Sequence, residues 1–336
     1  MNTRGFCAIP LIAVMIMAMT AGCGTAPGRG SDPALSAPEK PDITVAAIPA
    51  VDLAGLYIAQ AQGLFAKQGL QVTIEKVPSS QAILADQLKG QIDISAGSYA
   101  AYIAAQATGA RFRILAQAST LEPSTRALVV PANSPIGSIA DLAGKKIGVN
   151  GTNSIGTLLT SALLTEHGIS PTGVHFVIDQ KGFPAMPEQL RDGAWAAAFL
   201  AEPYITLAEE EYGERVLADL DQGTTMNFPA DGYVATRTWA QKYPRTAAAF
   251  VRAIEQGQAL ADSNAPAVQA AIAKYDNLPS QVTAAMVVSG YPVGPVDQTS
   301  IQRVATAMLQ FGMLSEEDAT EVERGTLTGS MIAPIP

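Results

Sequence analysis

The sequence is poor in the residues from which metal centres and nucleic-acid surfaces are usually built. Its 336 residues include two cysteines and two histidines, too few for a Cys/His zinc framework. Positive charge is also scarce, with 21 Lys and Arg against 30 Asp and Glu and a net charge of −9. Proteins that bind phosphate backbones need clustered Lys and Arg. We therefore expect no metal, no cofactor and no nucleic-acid partner.

The composition otherwise fits a folded protein. Charged residues make up 15% of the chain and hydrophobic residues 48%. The charged fraction lies below the roughly 25% of an average soluble chain, which excludes a disordered polyelectrolyte. The length predicts two domains, or one domain made of two lobes.

The N-terminus has the layout of a secretory signal. Arg4 precedes an apolar run from Phe6 to Met19, and small residues then lead into Cys23. This run is short for a membrane-spanning helix, which needs about 20 apolar residues. The ending TAGC resembles a bacterial lipobox. We predict a lipoprotein signal peptide over residues 1–22, lipidation at Cys23 and an extracytoplasmic, membrane-anchored protein; an ordinary cleaved signal or an uncleaved anchor is the alternative.

A stretch rich in Gly, Pro, Ser and Ala follows, and we predict a flexible tether over residues 23–41. The body then alternates short apolar runs with amphipathic stretches, beginning with a strand at Ile43–Ile48 and a helix over Ala54–Gln68. This alternation predicts an α/β fold with parallel sheets. We assign residues 42–126 and 234–336 to lobe 1 and residues 127–233 to lobe 2. Two crossings between the lobes would frame a cleft.

Four segments resemble one family of transport proteins, and they occur in its order and spacing. They are 55–72 (GLYIAQAQGLFAKQGLQV), 87–95 (QLKGQIDIS), 139–149 (IADLAGKKIGV) and 189–203 (QLRDGAWAAAFLAEP). The sequence is similar here to the substrate-binding proteins of ABC importers for aliphatic sulfonates, taurine, nitrate and thiamine-precursor pyrimidines. The last segment departs from the family, because Ala194 and Trp195 stand after Gly193 where members often have Asp-Ala.

The resemblance implies a two-lobed type 2 periplasmic-binding-protein (Venus-flytrap) fold with two hinge crossovers. It also implies a monomer that captures a small solute and delivers it to an ABC permease and ATPase. A thiamine-precursor pyrimidine is the alternative solute, and a ligand sensor or adaptor is the alternative role. A pyrimidine-synthase-like enzyme has little support, since the sequence has no Cys-rich motif and no G-x-S-x-G element.

Candidate ligand contacts in lobe 1 follow predicted strands at the edge of the cleft. Asp52 and Leu53 come after the first strand, and the Asp52 carboxylate could accept hydrogen bonds from a ligand amine or cap the next helix. Ser98 and Tyr99 follow the third strand and offer a hydroxyl and an aromatic wall. Asp231, at the end of the segment assigned to lobe 2, precedes the second crossover, where a cleft-closing contact would lie.

Candidates in lobe 2 begin with a loop between a strand and a helix. Thr152, Asn153 and Ser154 offer donors at a helix N-terminus, a favourable place for a sulfonate or carboxylate; plain helix capping is the alternative. Phe183 could form a stacking lid or pack on its own lobe. Glu202 is a further candidate contact, or a carboxylate that stabilises the following helix.

The first crossover contributes Ser124 and Arg126. The Arg126 guanidinium could bind a carboxylate or sulfonate, or lie exposed at the hinge. Donors on lobe 2 and a carboxylate on lobe 1 would suit a zwitterion or a polar neutral ring, since Asp52 would repel a bare anion such as nitrate.

Overall fold

The computed structural model describes residues 37–332, whose strands form two mixed sheets. The strands of the described chain are β1 Asp42–Ala47, β2 Gln71–Lys76, β3 Ile94–Ser98, β4 Phe112–Thr120, β5 Arg126–Val130, β6 Lys146–Val149, β7 His175–Ile178, β8 Ala197–Ala201, β9 Arg215–Asp219 and β10 Pro229–Thr236. The first sheet has the order β2-β1-β3-β10-β4 and the second β7-β6-β8-β5-β9.

Helices cover both sheets, which confirms the predicted α/β class. They are α1 Ala54–Ala61, α2 Leu64–Lys67, α3 Ser80–Leu88, α4 Tyr99–Ala107, α5 Ile155–Glu166, α6 Met186–Arg191, α7 Tyr204–Tyr212, α8 Arg237–Lys242, α9 Pro244–Ser263, α10 Ala265–Asp276, α11 Ser280–Ala285, α12 Gln298–Gln310, α13 Ala319–Glu323 and α14 Thr326–Ile332. Short 3₁₀ turns occur between them, including Val51–Leu53 and Phe183–Ala185.

The sheets are mixed, whereas the alternating pattern predicted parallel ones. The two strands that enter a sheet from the other half of the chain, β5 and β10, run antiparallel to their neighbours. The parallel strands of each sheet end at the cleft. A strand that enters the sheet from the cleft begins at that edge and therefore runs antiparallel to them. The first residues of β5 and β10 therefore lie beside the C-terminal ends of β8 and β3.

The crossings differ by a few residues from the expected positions. Arg126 already pairs with Ala201 in the second sheet, and Pro229 already pairs with Thr120 in the first. Residues 229–233, which we assigned to lobe 2, therefore lie in the first sheet. The sequence pattern did not predict that the strand starts at Pro229, because proline and aspartate, here Pro229 and Asp231, are both uncommon inside strands.

Two predicted helices are shorter in the structure. The helix expected over 54–68 is divided at Gly63, whose φ of 64° lies in the left-handed region and interrupts the helix. The sequence pattern also predicts a helix over 280–288, and in the structure this helix ends at Ala285. The chain after it is extended and forms a bridge between Gly290 and Thr120, so the C-terminal region returns to the first sheet.

The end of the predicted tether is held on the body. The Glu39 carboxylate accepts hydrogen bonds from the Arg245 and Thr246 amides, 3.1 and 2.9 Å away, at the start of α9. A carboxylate is stabilised there by the free amides and the dipole of the helix. Lys40 forms an ion pair with Asp93. Flexibility as far as residue 41 is therefore wrong for these last residues.

Candidate functional site

A small cavity lies where the ends of strands from the two sheets meet. Its volume is about 20 Å³, room for roughly one water molecule. Residues of both sheets and their adjoining turns line it: Ile48, Ala50, Asp52, Leu53, Gly97, Ser98, Arg126, Asn150, Ile155, Phe183 and Asp231. The topology accounts for this position, since the cleft is built from strand ends and the turns that follow them.

A buried cluster of three charged side chains forms the polar part of the cavity. Arg126 Nη2 forms an ion pair with Asp52 Oδ2 and lies 3.4 Å from Asp231 Oδ2. The side chains of Arg126 and Asp52 are each 2% exposed and that of Asp231 is 9% exposed. Burying charges carries a desolvation cost of several kcal/mol per ion that only close pairing offsets. Two carboxylates thus share one guanidinium.

The environment of Asp231 shifts its protonation. Burial and, secondly, the negative charge of Asp52 raise the pKa of Asp231 to about 7, against the opposing effects of Arg126 and Ser119. Near neutral pH this carboxyl group therefore exchanges between its protonated and ionised forms. The net charge of the three-residue cluster then lies between 0 and −1.

Contacts from distant parts of the chain hold Asp52 in place. Ser289 Oγ donates a hydrogen bond of 3.0 Å to Asp52 Oδ1. The Tyr291 hydroxyl donates to the carbonyl oxygen of Val51 at 2.8 Å, and the Val51 amide donates to the carbonyl oxygen of Glu202 at 2.9 Å. The turn that carries Asp52 is thus fixed both by the C-terminal region and by a segment next to the second sheet.

Three buried polar atoms of the cavity lining have no hydrogen-bond partner among the described residues: Asp52 Oδ2, Arg126 Nε and Asn150 Oδ1. The first of them is held by the ion pair with Arg126. The other nitrogens of the guanidinium are engaged, since Nη1 donates to the carbonyl oxygen of Thr125 at 2.9 Å and Nη2 contacts the two carboxylates. Most buried polar groups in proteins are hydrogen-bonded. A donor and an acceptor are therefore available to a molecule bound in the cavity.

The structure brings six of the predicted contacts to the cavity: Asp52, Leu53, Ser98, Arg126, Phe183 and Asp231. Phe183 packs on its own lobe, as one of its two interpretations proposed, and also lies at the cavity. Its ring packs 5.9 Å from that of Phe199 and 6.2 Å from that of Tyr204, measured between ring centroids. As ligand contacts, all six remain predictions.

The loop before α5 does not present the donors expected of it. Ser154 accepts a hydrogen bond from the Thr157 amide as the N-cap of α5 and donates to the carbonyl oxygen of Gly151 at 2.9 Å. Thr152 is exposed, Asn153 is half-buried, and neither lines the cavity. Ser154 thus acts as a helix cap, which was the alternative to its role as an anion-binding donor.

Three further candidates lie outside the lining. Ser124 is exposed, and its amide donates to Asp219 Oδ2 at 2.9 Å. Tyr99 is buried behind the cavity; a Cβ on Gly232 would lie 2.4 Å from its ring. Glu202 accepts hydrogen bonds from the Thr206 amide and hydroxyl at 3.1 and 2.8 Å, in α7. Glu202 therefore stabilises a helix, as its alternative interpretation proposed.

Sequence reasoning missed five lining residues: Ile48, Ala50, Gly97, Asn150 and Ile155. Asn150 had a usable signal, because it follows β6 as Asp52 follows β1. Gly97 is hard to identify from sequence, since its contribution is space: a Cβ there would lie 3.0 Å from Ser80 Oγ. Ser289, which donates a hydrogen bond to Asp52, lies in the chain after α11, and no sequence pattern marks it as part of the site.

Cys23, the signal segment 1–22 and most of the tether lie outside the described residues. Within residues 37–332 no helix combines the length and apolar character required to cross a membrane. The same part of the chain has no group of three or more His, Cys, Asp or Glu side chains placed to hold a metal ion. His167 and His175 are exposed and do not line the cavity.

Comparisons with known proteins agree with this architecture. The profile of the family described as NMT1/THI5 like matches residues 50–266, more than half of the chain. A protein of Escherichia coli K12 named as an aliphatic sulfonates-binding protein is 29% identical over 236 residues, which cover 68% of this chain and 70% of that protein.

Two solved structures show the similarity of fold. The alkanesulfonate-binding protein of Xanthomonas axonopodis pv. citri, bound to MOPS, has a TM-score of 0.70 and 18% identity, covering 83% of this chain and 96% of that one. The periplasmic nitrate-binding protein of Synechocystis PCC 6803 has a TM-score of 0.71 and 16% identity, covering 90% and 91%. The predicted periplasmic-binding-protein fold is confirmed.

Proposed function

The chain belongs to the NMT1/THI5-like family, and from this premise we propose that it is the solute-binding component of an ABC importer. The E. coli relative, named for binding aliphatic sulfonates, supports this role. We propose a small polar organic molecule, of the size class of the sulfonates, as the solute. Its site is the cavity between the two sheets.

The observation that carries the proposal is the buried polar lining contributed by both sheets. In the first sheet, Asp231 lies in β10 and Asp52 lies in the turn after β1. In the second sheet, Arg126 lies in β5 and Asn150 directly follows β6. The unpartnered Arg126 Nε and Asn150 Oδ1 both lie in the lining. A molecule held there would contact both lobes, so its binding energy would favour the arrangement in which the lobes meet.

The small volume of the cavity implies how a solute enters. About 20 Å³ accommodates one water molecule and no organic solute. The lobes must therefore separate, and the crossing segments before β5 and β10 are the hinge candidates. We propose that a permease recognises the closed form and that an ATPase drives release.

The cellular setting follows from the N-terminal sequence. We propose that residues 1–22 are a lipoprotein signal, that Cys23 carries lipid, and that a tether ending near residue 36 holds the monomeric body outside the cytoplasmic membrane. Lobe 1 would comprise the first sheet with the C-terminal helices, and lobe 2 the second sheet. Mass spectrometry of the protein from cells, with and without Cys23→Ala, tests the anchor by the mass of the mature N-terminus.

A thermal-shift screen tests the central role. The panel includes alkanesulfonates, nitrate, bicarbonate, aminopyrimidines and amino acids. A solute at about 100 times its Kd adds about 2.7 kcal/mol to the free energy of unfolding, a rise of roughly 5 °C or more in Tm. A Tm that no compound moves, in a protein that mass spectrometry finds free of co-purified small molecules, contradicts the proposal.

A further inference from the structure

The charges lining the cavity suggest which solutes it accepts. Among its lining residues are two carboxylates, Asp52 and Asp231, and one cation, Arg126. The pair of carboxylates already shares Arg126 Nη2. An additional bare anion would bring a further negative charge against two buried acids where water provides little screening.

The hydrogen-bonding capacity of the site has the same bias. The Nε–H of the Arg126 guanidinium has no hydrogen-bond partner among the described residues, whereas Nη1 donates to the Thr125 carbonyl oxygen and Nη2 contacts the carboxylates. The Asn150 Oδ1 acceptor has no hydrogen-bond partner among the described residues, and two carboxylates belong to the same lining. These groups offer acceptor oxygens, which an isolated sulfonate or nitrate anion cannot use because it has no N–H or O–H to donate.

Neighbouring hydroxyl groups donate hydrogen bonds to the two acids. Ser289 Oγ donates to Asp52 Oδ1 at 3.0 Å, and Ser119 Oγ donates to Asp231 Oδ2 at 3.5 Å. These contacts hold the carboxylates as hydrogen-bond acceptors at the cavity wall. A protonated nitrogen with several N–H bonds matches such a pair of oxygens in both charge and geometry.

We infer that the solute carries a cationic nitrogen group, an ammonium or a protonated amino-substituted ring, which binds against Asp52 and Asp231. An acidic group on the same molecule would be accommodated at Arg126 Nε. This inference rests on the proposed function and narrows its solute class. It separates this chain from a receptor for simple anions, although two similar proteins are named for sulfonates and nitrate.

Matched pairs of probes test the inference by calorimetry on the purified full-length chain. Taurine is compared with isethionate, which has a hydroxyl group in place of the ammonium group, and 4-aminopyrimidine is compared with pyrimidine. We expect at least one aminated probe to bind about tenfold or more tightly than its partner. The arm that responds distinguishes an ammonium from an amino-ring solute.

Asp231→Asn should abolish this preference while keeping the size of the side chain. Glu214→Gln is the control, because Glu214 is another buried acid, its carboxyl oxygens have no hydrogen-bond partner among the described residues, and it does not line the cavity. The preference should persist in that variant. Equal loss in both variants would overturn the inference.

The pH dependence of solute affinity tests the charge of the bound group independently. Ionisation of Asp231 between pH 6 and pH 8 should strengthen the binding of taurine, whose ammonium group stays protonated there, whereas a bare anion would bind more weakly. The charged groups that act on Asp231 are Asp52 and Arg126, and Asp231 in turn acts on Tyr99, Tyr102 and Tyr233. Burial raises the pKa of all three tyrosines, so none of them titrates in this interval.

The outcomes separate the two proposals. Equal affinity within both pairs, with isethionate and pyrimidine each matching its aminated partner, overturns the inference and leaves the solute-binding role standing. Taurine affinity that falls with rising pH also overturns it. A chain that binds none of the four probes overturns the inference, and the thermal-shift panel then decides separately whether the solute-binding role stands.

Discussion

Of two cavities in this protein, the larger has few charged side chains in its lining and the smaller has three buried ones. A groove of about 460 Å³ runs beside α12, whereas the cavity between the sheets has about 20 Å³. The groove is lined mainly by neutral polar side chains and the exposed Arg303, and the small cavity by three buried charges. Size alone would select the groove.

The two arginines show why chemistry favours the small cavity. Arg303 donates to the carbonyl oxygens of Thr224 and Met226, both at 2.8 Å, and lies 5.0 Å from the ring centre of Phe228. Its contacts join α12 to the segment before β10. Arg126 instead pairs with two acids, and its buried Nε–H has no partner among the described residues. Arg303 therefore serves structure, and Arg126 is available to a solute.

Replacing each arginine by alanine should separate the cavities most strongly. Arg126→Ala leaves Asp52 and Asp231 buried without their cation and should lower the free energy of unfolding by about 3–5 kcal/mol. Arg303→Ala removes exposed contacts and should cost about 1 kcal/mol or less. Urea unfolding measures both values.

Restoring the charge balance checks the cause of the Arg126 effect. Adding Asp52→Asn to Arg126→Ala removes one unpaired acid and should recover part of the lost stability. Similar losses for the two single arginine variants, or no recovery in the double variant, would contradict the distinction between the cavities.

Asp52→Asn alone should reduce solute affinity by about 10- to 100-fold, since hydrogen bonds to charged groups contribute roughly 1.5–3 kcal/mol. Asp297→Asn is the matched change in the groove. Asp297 caps α12 by accepting from the Ser300 amide at 3.0 Å, and asparagine is an equally good cap. Calorimetry should find unchanged affinity in that variant; a loss there would assign the solute to the groove.

Stability should fall as pH rises from about 4 to about 8. Burial raises the pKa of Asp231 to about 7 and that of Glu214 to about 8. A carboxyl group whose pKa is higher in the folded than in the unfolded chain retains its proton there, so its stabilising contribution is lost as pH rises through the folded-state value. Each group contributes a slope of at most about 1.4 kcal/mol per pH unit.

Two variants show how much of this pH dependence of stability comes from the cavity and how much from elsewhere in the molecule. Asp231→Asn should flatten it below about pH 7 and Glu214→Gln up to about pH 8. Only Asp231→Asn should alter solute affinity. Urea unfolding at several pH values, with slopes unchanged in both variants, would refute the assigned protonation states.

The smallest expected effect concerns Asn150. Because its Oδ1 has no partner among the described residues, Asn150→Ala should change stability by about 1 kcal/mol or less yet weaken solute binding about fivefold. Asn153→Ala, three residues away and outside the lining, should leave affinity unchanged. Calorimetry compares the two variants, and a larger loss for Asn153 would restore the predicted anion site at the loop.

The sequence alone could predict those site residues whose position depends on the nearest strand. Asp52, Ser98 and Arg126 could be placed at the cleft because each lies at a strand end, and strand ends meet there. The same rule misjudged Ser154, whose hydroxyl is used within its own helix cap. A helix N-terminus indicates a possible anion site without showing whether capping has already used its donors.

The remaining features depend on contacts between distant segments. Ser289 lies 237 residues from Asp52 in sequence, and no local pattern marks the extended chain that delivers it. The sharing of Arg126 by two acids also required the tertiary structure, since Asp231 reaches the cavity only because β10 lies between β3 and β4.

The crystal structure of the chain grown with its tightest-binding probe tests the central claim most directly. The account predicts electron density for the solute between the sheets, with its nitrogen within hydrogen-bond distance of Asp52 or Asp231 and a contact from Arg126 Nε. Solute density in the groove beside Arg303, with the cavity between the sheets unchanged, would contradict it.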